Sequence, residues 1–242
     1  MSTFSGIVLA GGLGIRIRSA FLAGPKSMVK VANRPFLEYM LAKMRVCGIR
    51  DVVICVGYSR SQIQSYFRKG TKWGLQVRYS VEDELLGTAG AVKKAAEMLD
   101  APAVFVFNGD TFLDLDVEAM WDFHYSCRAV ATVAVIEESR SSRPGRLLLN
   151  ERKEVTAIAG PGESLGANSN GNVFVNAGAF LLSRQFIDLI PSGRAVSIDR
   201  EMFPGLLGCG MYGFPTNGYF VDIGMPEGLA RAQYELPFRW MA

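Results

Sequence analysis

The chain has 242 residues, with 26 Lys and Arg against 23 Asp and Glu for a net charge of +3. So small an excess is no footprint of a nucleic-acid-binding surface, and no run reaches the ~18 apolar residues that a membrane span needs. The single histidine, His124, excludes a zinc site built from several imidazoles.

Four scattered cysteines, none in a Cys-x-x-Cys pair, suit a reducing cytoplasm, and Cys55 reads as a small core residue. Met1–Gly12 shows no basic segment with an apolar run and cleavage site, so no signal peptide is expected. His124 follows Trp121 and Phe123 at helical spacing and reads as structural. Catalysis therefore falls to carboxylates, Lys, Arg, backbone amides or a metal ion.

Thr3–Ala10 is an apolar run entering glycines, the pattern of a buried strand that ends in a loop. Pro35 opens a helix with Phe36, Met40, Leu41 and Met44 on one face, closed by Gly48. Strands at Asp51–Val56, Leu75–Tyr79, Ala103–Phe107 and Val130–Val135 then alternate with helices at Ser61–Lys69, Thr88–Leu99 and Val117–Cys127. That alternation predicts an α/β fold, a Rossmann-like, mostly parallel mixed sheet flanked by helices. Ligands bind such sheets at the carboxyl ends of their strands.

The remainder predicts a small β-rich elaboration over the same cleft. It comprises a hairpin at Gly145–Ile158, a Gly/Asn/Ser stretch at Gly160–Asn172 and a strand at Val173–Leu182. Helical segments follow at Arg184–Leu189 and Asp199–Leu207, then strands at Met211–Phe214 and Asn217–Ile223, and a last helix from Pro226. A single domain, 1–242, is expected, in two halves, 1–135 and 136–242.

Two strand-end loops carry the chemistry. Leu9–Met28 combines glycines, whose backbone N–H groups can approach an anion, with Arg16 and Lys26, whose charge suits phosphate. It lacks the Gly-Lys-Ser/Thr of a Walker A loop and the third glycine of a dinucleotide fingerprint. Asn108-Gly109-Asp110 follows the fourth strand, where Asp110 either holds Mg²⁺ or caps a turn. Asp222 interrupts the apolar run Gly218–Gly224, where a buried charge needs a metal or a cationic partner.

Leu9–Gly14, Arg16, Pro25-Lys26, Leu86–Gly90, Asn108–Asp110, Asn176-Ala177-Gly178 and Asp222-Ile223-Gly224 together resemble the sugar-1-phosphate nucleotidylyltransferases, in that family's order and over nearly the whole chain. Pro35–Tyr39, Ser197–Pro204 and Met211–Phe214 are most similar to the bacterial D-glycero-α-D-manno-heptose 1-phosphate guanylyltransferases, which supply GDP-heptose for surface polysaccharides.

The resemblance implies a Mg²⁺-dependent enzyme that takes GTP or another nucleoside triphosphate and a sugar 1-phosphate, works in the cytoplasm without membrane or nucleic acid, and can form a homo-oligomer. It implies that 1–135 is the nucleotide half and 136–242 the sugar-phosphate half, with a nucleotide site of Leu9, Ala10, Gly11, Gly12, Gly14, Glu82, Gly87, Thr88 and Asn108, and with Arg16 and Lys26 as catalytic cations. Gly109, Gly145, Glu163 and Asn176 would contact the sugar phosphate, and Asp110 and Asp222 the metal. Glu82 stands where the family reads the base. An ionised carboxylate only accepts, which suits the adjacent N1–H and N2–H₂ of guanine.

Three positions depart from the pattern: Ile15 replaces a usual Thr, Ser27 a Pro, and Ser164 the Lys that helps hold the sugar phosphate. Arg143, Lys153 and Arg194 are the candidate substitutes. Rival readings are a mannose 1-phosphate guanylyltransferase, a glucose 1-phosphate thymidylyltransferase and a regulatory subunit that binds a sugar nucleotide without turning it over.

Overall fold

The structure, a computed structural model, describes residues 4–12, 24–57, 60–137, 145–160 and 173–239. Strand β1 (Phe4–Leu9) runs straight into Ala10–Gly12. A 3-10 turn at Lys26–Met28 precedes a ribbon of β2 (Lys30–Val31) and β3 (Arg34–Pro35). Its two-residue loop has φ of 44° at Ala32 and 68° at Asn33, the double positive φ that a tight hairpin demands.

Helix α1 (Phe36–Val46) buries Phe36, Leu37, Met40, Leu41 and Met44 on its core face. It stops at Gly48, whose φ of 83° supplies the left-handed residue that ends the helix. Strand β4 (Ile49–Val56), α2 (Arg60–Phe67), β5 (Gln76–Val81), α3 (Gly87–Ala96) and β6 (Ala103–Asn108) continue the alternation. A short β7 (Thr111–Leu113) leads to α4 (Val117–Ser126), capped by the Asp116 carboxylate accepting from the Ala119 N–H at 3.0 Å.

Strand β8 (Ala131–Glu137) precedes a hairpin of β9 (Arg146–Leu149) and β10 (Val155–Ala159), then the eleven-residue β11 (Val173–Ser183). Helix α5 (Arg184–Leu189), a π-helical turn at Ile198–Met202, β12 (Met211–Pro215), β13 (Phe220–Asp222) and α6 (Pro226–Glu235) complete the described chain.

Among the described residues, nine strands form one sheet in the order β10-β9-β11-β6-β1-β4-β5, with β8 on the other edge of β11 and β12 outside β8. β5, β4, β1 and β6 are parallel neighbours, whereas β11 is antiparallel to β6, β8 and β9. β8 and β9 therefore point the same way as β6, and the sheet stays mostly parallel in direction although β11 divides it.

Two apolar layers cover the sheet. Val8, Val52, Ile54, Phe105 and Phe107 face α1 and α4; Ile7, Val53, Cys55, Val104 and Val106 face α3. The strict alternation within Ile7-Val8, Val52–Cys55 and Val104–Phe107 is the period of two that points successive side chains to opposite faces. Alanines at 89, 91, 95 and 96 let α3 lie close on its layer. His124 is buried between α4 and β8, its Nδ1 2.8 Å from the Thr132 hydroxyl, consistent with its structural reading.

Two expectations need correcting. The helix expected over Asp199–Leu207 is a π turn followed by a 3-10 turn at Pro204–Leu206, because Pro204 has no N–H to continue the first ladder. The strand expected over Asn217–Ile223 is shortened to β13 and joins β7 in a separate ribbon rather than the main sheet. β11 takes the edge of β6 away from β1, and β8 pairs with β11. Most of the Gly/Asn/Ser stretch, 161–172, lies outside the described residues.

Candidate active site

Parallel strands deliver their carboxyl ends to one edge, and β1 and β6 are neighbours there. The Gly109 N–H donates to the Leu9 carbonyl at 3.0 Å, and a Cβ on Gly109 would stand 2.6 Å from that oxygen. The two chemistry-bearing loops are thus in backbone contact, and a side chain at 109 would push them apart.

The ribbon of β13 and β7 brings the two distant acids together. Asp222 is in register with Thr111, and the Ile223 N–H donates to the Asp110 carbonyl at 3.0 Å. The Lys26 ammonium donates to Asp110 Oδ2 at 2.5 Å, and the Gly224 N–H donates to Asp222 Oδ1 at 2.6 Å. A Cβ on Gly224 would lie 2.5 Å from Lys26 Nζ and 2.6 Å from Asp222 Oδ1, so Lys26, which carries Asp110, meets Asp222 at this glycine.

The cluster is part-exposed, open to a ligand on one side. Two carboxylates offer the hard oxygen donors that Mg²⁺ prefers, and a cation already rests on one of them. The donor set fits such an ion, although no group of three or more His, Cys, Asp or Glu gathers among the described residues.

On the β4–β5 side, Glu82 leaves β5 with its N–H on the Val56 carbonyl. Its Oε1 would be 3.0 Å from a Cβ on Gly11, which places the carboxylate against the first glycine loop. Burial raises the Glu82 pKa, while the Leu86 N–H and the Lys94 charge pull it back. Asp83 instead turns outward to Arg60 at 3.0 Å. No atom of the described residues lies within 4 Å of where a Cβ on Gly12 would be. Gly87 opens α3 against the Val196 backbone, and the Thr88 hydroxyl accepts from the Ile198 N–H at 2.8 Å, so this pair also holds the 196–198 segment.

The other wall is a fork in the sheet. One edge of β11 pairs with β9 over Val173–Val175 and with β6 over Ala179–Ser183. Asn176-Ala177-Gly178 falls in the gap, where the β8 register also shifts. The Asn176 N–H donates to the Gly145 carbonyl at 3.0 Å, its Oδ1 accepts from the Gly178 N–H at 2.8 Å, and its Nδ2 donates to Asp199 Oδ1 at 3.1 Å. Gly178 has a φ of 73°, and a Cβ there would meet Thr111 Oγ1 at 2.5 Å and Asn108 Nδ2 at 3.1 Å. Only glycine lets the fork close onto Asn108.

Lys26, Glu82, Asn108, Gly109, Asp110, Gly145, Asn176 and Asp222 therefore line one continuous edge. Gly14, Arg16, Glu163, and the altered positions Ile15 and Ser164 lie outside the described residues, as does Arg143. Of the remaining substitutes for the missing Lys, Lys153 sits in the far turn of the β9–β10 hairpin. Arg194 is paired with Glu201 at 2.6 Å. Sequence reasoning passed over Asp199 and Thr111. Asp199 carries a faint signal in the Ser197–Glu201 capping pattern, where the Ser197 N–H donates to Glu201 Oε1 at 2.9 Å; Thr111 carries none.

The family model described as Nucleotidyl transferase matches residues 5–237. The mannose-1-phosphate guanylyltransferase of Mycobacterium tuberculosis is 34% identical over 95% of this chain, which spans 64% of that relative's length. The D-glycero-alpha-D-manno-heptose 1-phosphate guanylyltransferase of Aneurinibacillus thermoaerophilus is 32% identical over 95% of this chain and 97% of its own. Among solved structures, HddC from Yersinia pseudotuberculosis complexed with GMP-PN superposes with a TM-score of 0.82 at 28% identity, covering 96% of this chain and 98% of that one. No described helix is long and apolar enough to cross a membrane.

Proposed function

Because the chain belongs to the nucleotidyl transferase family, we propose that it couples GTP to D-glycero-α-D-manno-heptose 1-phosphate, releasing pyrophosphate and forming GDP-heptose. The observation that carries this reading is the meeting of the Lys26–Asp110 ion pair with Asp222 at Gly224, beside the contact of Gly109 with Leu9. The heptose substrate is supported by 32% identity over 95% of this chain to the heptose enzyme, set beside the similar match to the mannose enzyme. The 34% identity to the latter keeps mannose 1-phosphate as the second reading.

In this reaction a sugar phosphate oxygen attacks the α-phosphorus and pyrophosphate leaves in line, so the protein contributes position and charge rather than covalent chemistry. Gly11 and Gly12 present backbone amides to the triphosphate. Lys26 exchanges its Asp110 contact for the α-phosphate and guides the incoming phosphate toward it. Asp110 and Asp222 would hold Mg²⁺, which supplies positive charge to the phosphate oxygens. Glu82 accepts from the two adjacent donors of guanine, where uracil or thymine would set carbonyls against it. Gly145 and Asn176 hold the sugar at the fork. Arg16 on the β- and γ-phosphates and Glu163 on a sugar hydroxyl complete the set.

Pyrophosphate release across a panel of triphosphates and sugar 1-phosphates tests the reading. GTP with a manno-configured sugar 1-phosphate is expected to give the highest kcat/KM. Absence of release with every GTP pair would overturn it.

A further inference from the structure

The fork brings a carboxylate and a carboxamide side by side, and no motif above gives the carboxylate a role. Asn176 is fixed on three sides, as its own N–H, its Oδ1 and one hydrogen of Nδ2 are all engaged. Because the Gly178 N–H takes Oδ1, the amino group is the end that faces Asp199. Its second hydrogen has no acceptor among the described residues. Asp199 uses Oδ1 for that contact, and Oδ2 has no hydrogen-bond partner among them.

Asp199 is itself held by backbone. It occupies the π turn Ile198–Met202, whose Ile198 N–H is tied to Thr88 and whose Arg200 N–H is capped by Ser197 Oγ at 3.3 Å. Short π segments inside proteins concentrate at functional sites. The side chain is open to solvent on one side yet hemmed in by protein, which raises its pKa, while Asn176 and Arg200 lower it. The ladder Thr88–Ile198 also ties this turn to the first residues of α3 on the nucleotide side.

We propose that Asp199 is a specificity residue for the acceptor: with Asn176 it presents an acceptor and a donor side by side to two neighbouring hydroxyls of the sugar 1-phosphate. The inference rests on the nucleotidyl-transfer reading and extends it. A pair of vicinal hydroxyls offers the complementary donor and acceptor, and a carboxylate makes the stronger, charge-assisted bond. A carboxylate repels phosphate, so Asp199 reads the ring rather than the phosphate, which belongs with Lys26. A site built to bond a hydroxyl rejects the analogue that lacks it, because its own polar groups are left unpaired.

The test compares wild type, Asp199→Ala and Asp199→Asn with mannose 1-phosphate and its 2-, 3- and 4-deoxy analogues, with GTP held saturating and thermal melts run alongside. Wild type should lose roughly 10-fold or more in kcat/KM with at least one deoxy analogue. Asp199→Ala should lose a similar factor with the parent sugar phosphate, mainly through KM, and should no longer distinguish it from that analogue. Asp199→Asn should recover part of the loss, since its amide oxygen still accepts, and KM for GTP should not move. A folded Asp199→Ala that retains wild-type discrimination, or a loss that falls on GTP, overturns the inference alone. A wild type that releases no pyrophosphate with any sugar phosphate overturns the transfer reading, and this inference with it.

Discussion

The two walls of the cleft are built by opposite means. On the side proposed for the nucleotide, β5, β4, β1 and β6 repeat one rule: each parallel strand ends at the same edge and hands its loop to the site. On the side proposed for the sugar the site comes from an interruption. A single long strand, β11, changes partner from β9 to β6, and the residues left between partners face the cleft. A repeated local rule makes a wall that tolerates change at any one strand, whereas a wall made by one interruption depends on the few bonds that hold the gap open.

The sharpest way to break that contrast is at the ribbon joining the walls. Asp110→Asn or Asp222→Asn should reduce divalent-dependent pyrophosphate release by about 10³-fold or more, on the scale of removing transition-state charge stabilisation. The melting temperature should stay near wild type, and full activity in either variant would remove the metal assignment.

The seam between α4 and β8 should respond to acid. His124 is 2% exposed, and burial lowers its pKa from 6.5 to about 4. The unfolded chain takes up a proton below 6.5 and the folded chain does so only near 4, so stability is complete above 6.5 and falls as pH drops between them. The full term is about 3 kcal/mol. His124→Gln should flatten this slope, measured by urea unfolding at several pH values in parallel with wild type. Equal slopes would show that the ring does not report the seam.

On the nucleotide wall, Lys26→Ala should lower kcat about 10²-fold, and single-turnover kinetics would locate the loss in chemistry rather than binding. The smallest effect is expected at Glu82→Gln, where preference for GTP over dTTP should fall by about 10-fold. Unchanged preference in competition assays would mean that another group reads the base.

The parallel half was legible because its signals are local. Alternation within Val104–Phe107, helical spacing in α1 and punctuation at Gly48 each need only a few neighbours in sequence. Asp110 and Asp222 were legible as acids in costly places, but their meeting depends on β7 pairing with β13, and three residues at Thr111–Leu113 carry no period to read. The insertion of β11 between β6 and β8 was illegible for a related reason: strand order follows long-range pairing, not the pattern within a strand. Asp199 stayed hidden because a π turn shares its residue preferences with ordinary helix starts, and only the bond to Asn176 shows which way it faces.

The partner change along β11 has an evolutionary corollary. The β9–β10 hairpin is docked by a short ladder at Val173–Val175 and by the Glu154–Tyr212 bridge, and it brings Gly145 with it. Exchanging such a hairpin between relatives would, on the proposed reading, retailor the acceptor pocket while leaving Leu9 at the end of β1 and Gly109 and Asp110 in the β6–β7 turn, which it does not pair with. On the proposed reading acceptor choice would then be modular, a trait that could be transplanted without rebuilding the machinery that handles the triphosphate.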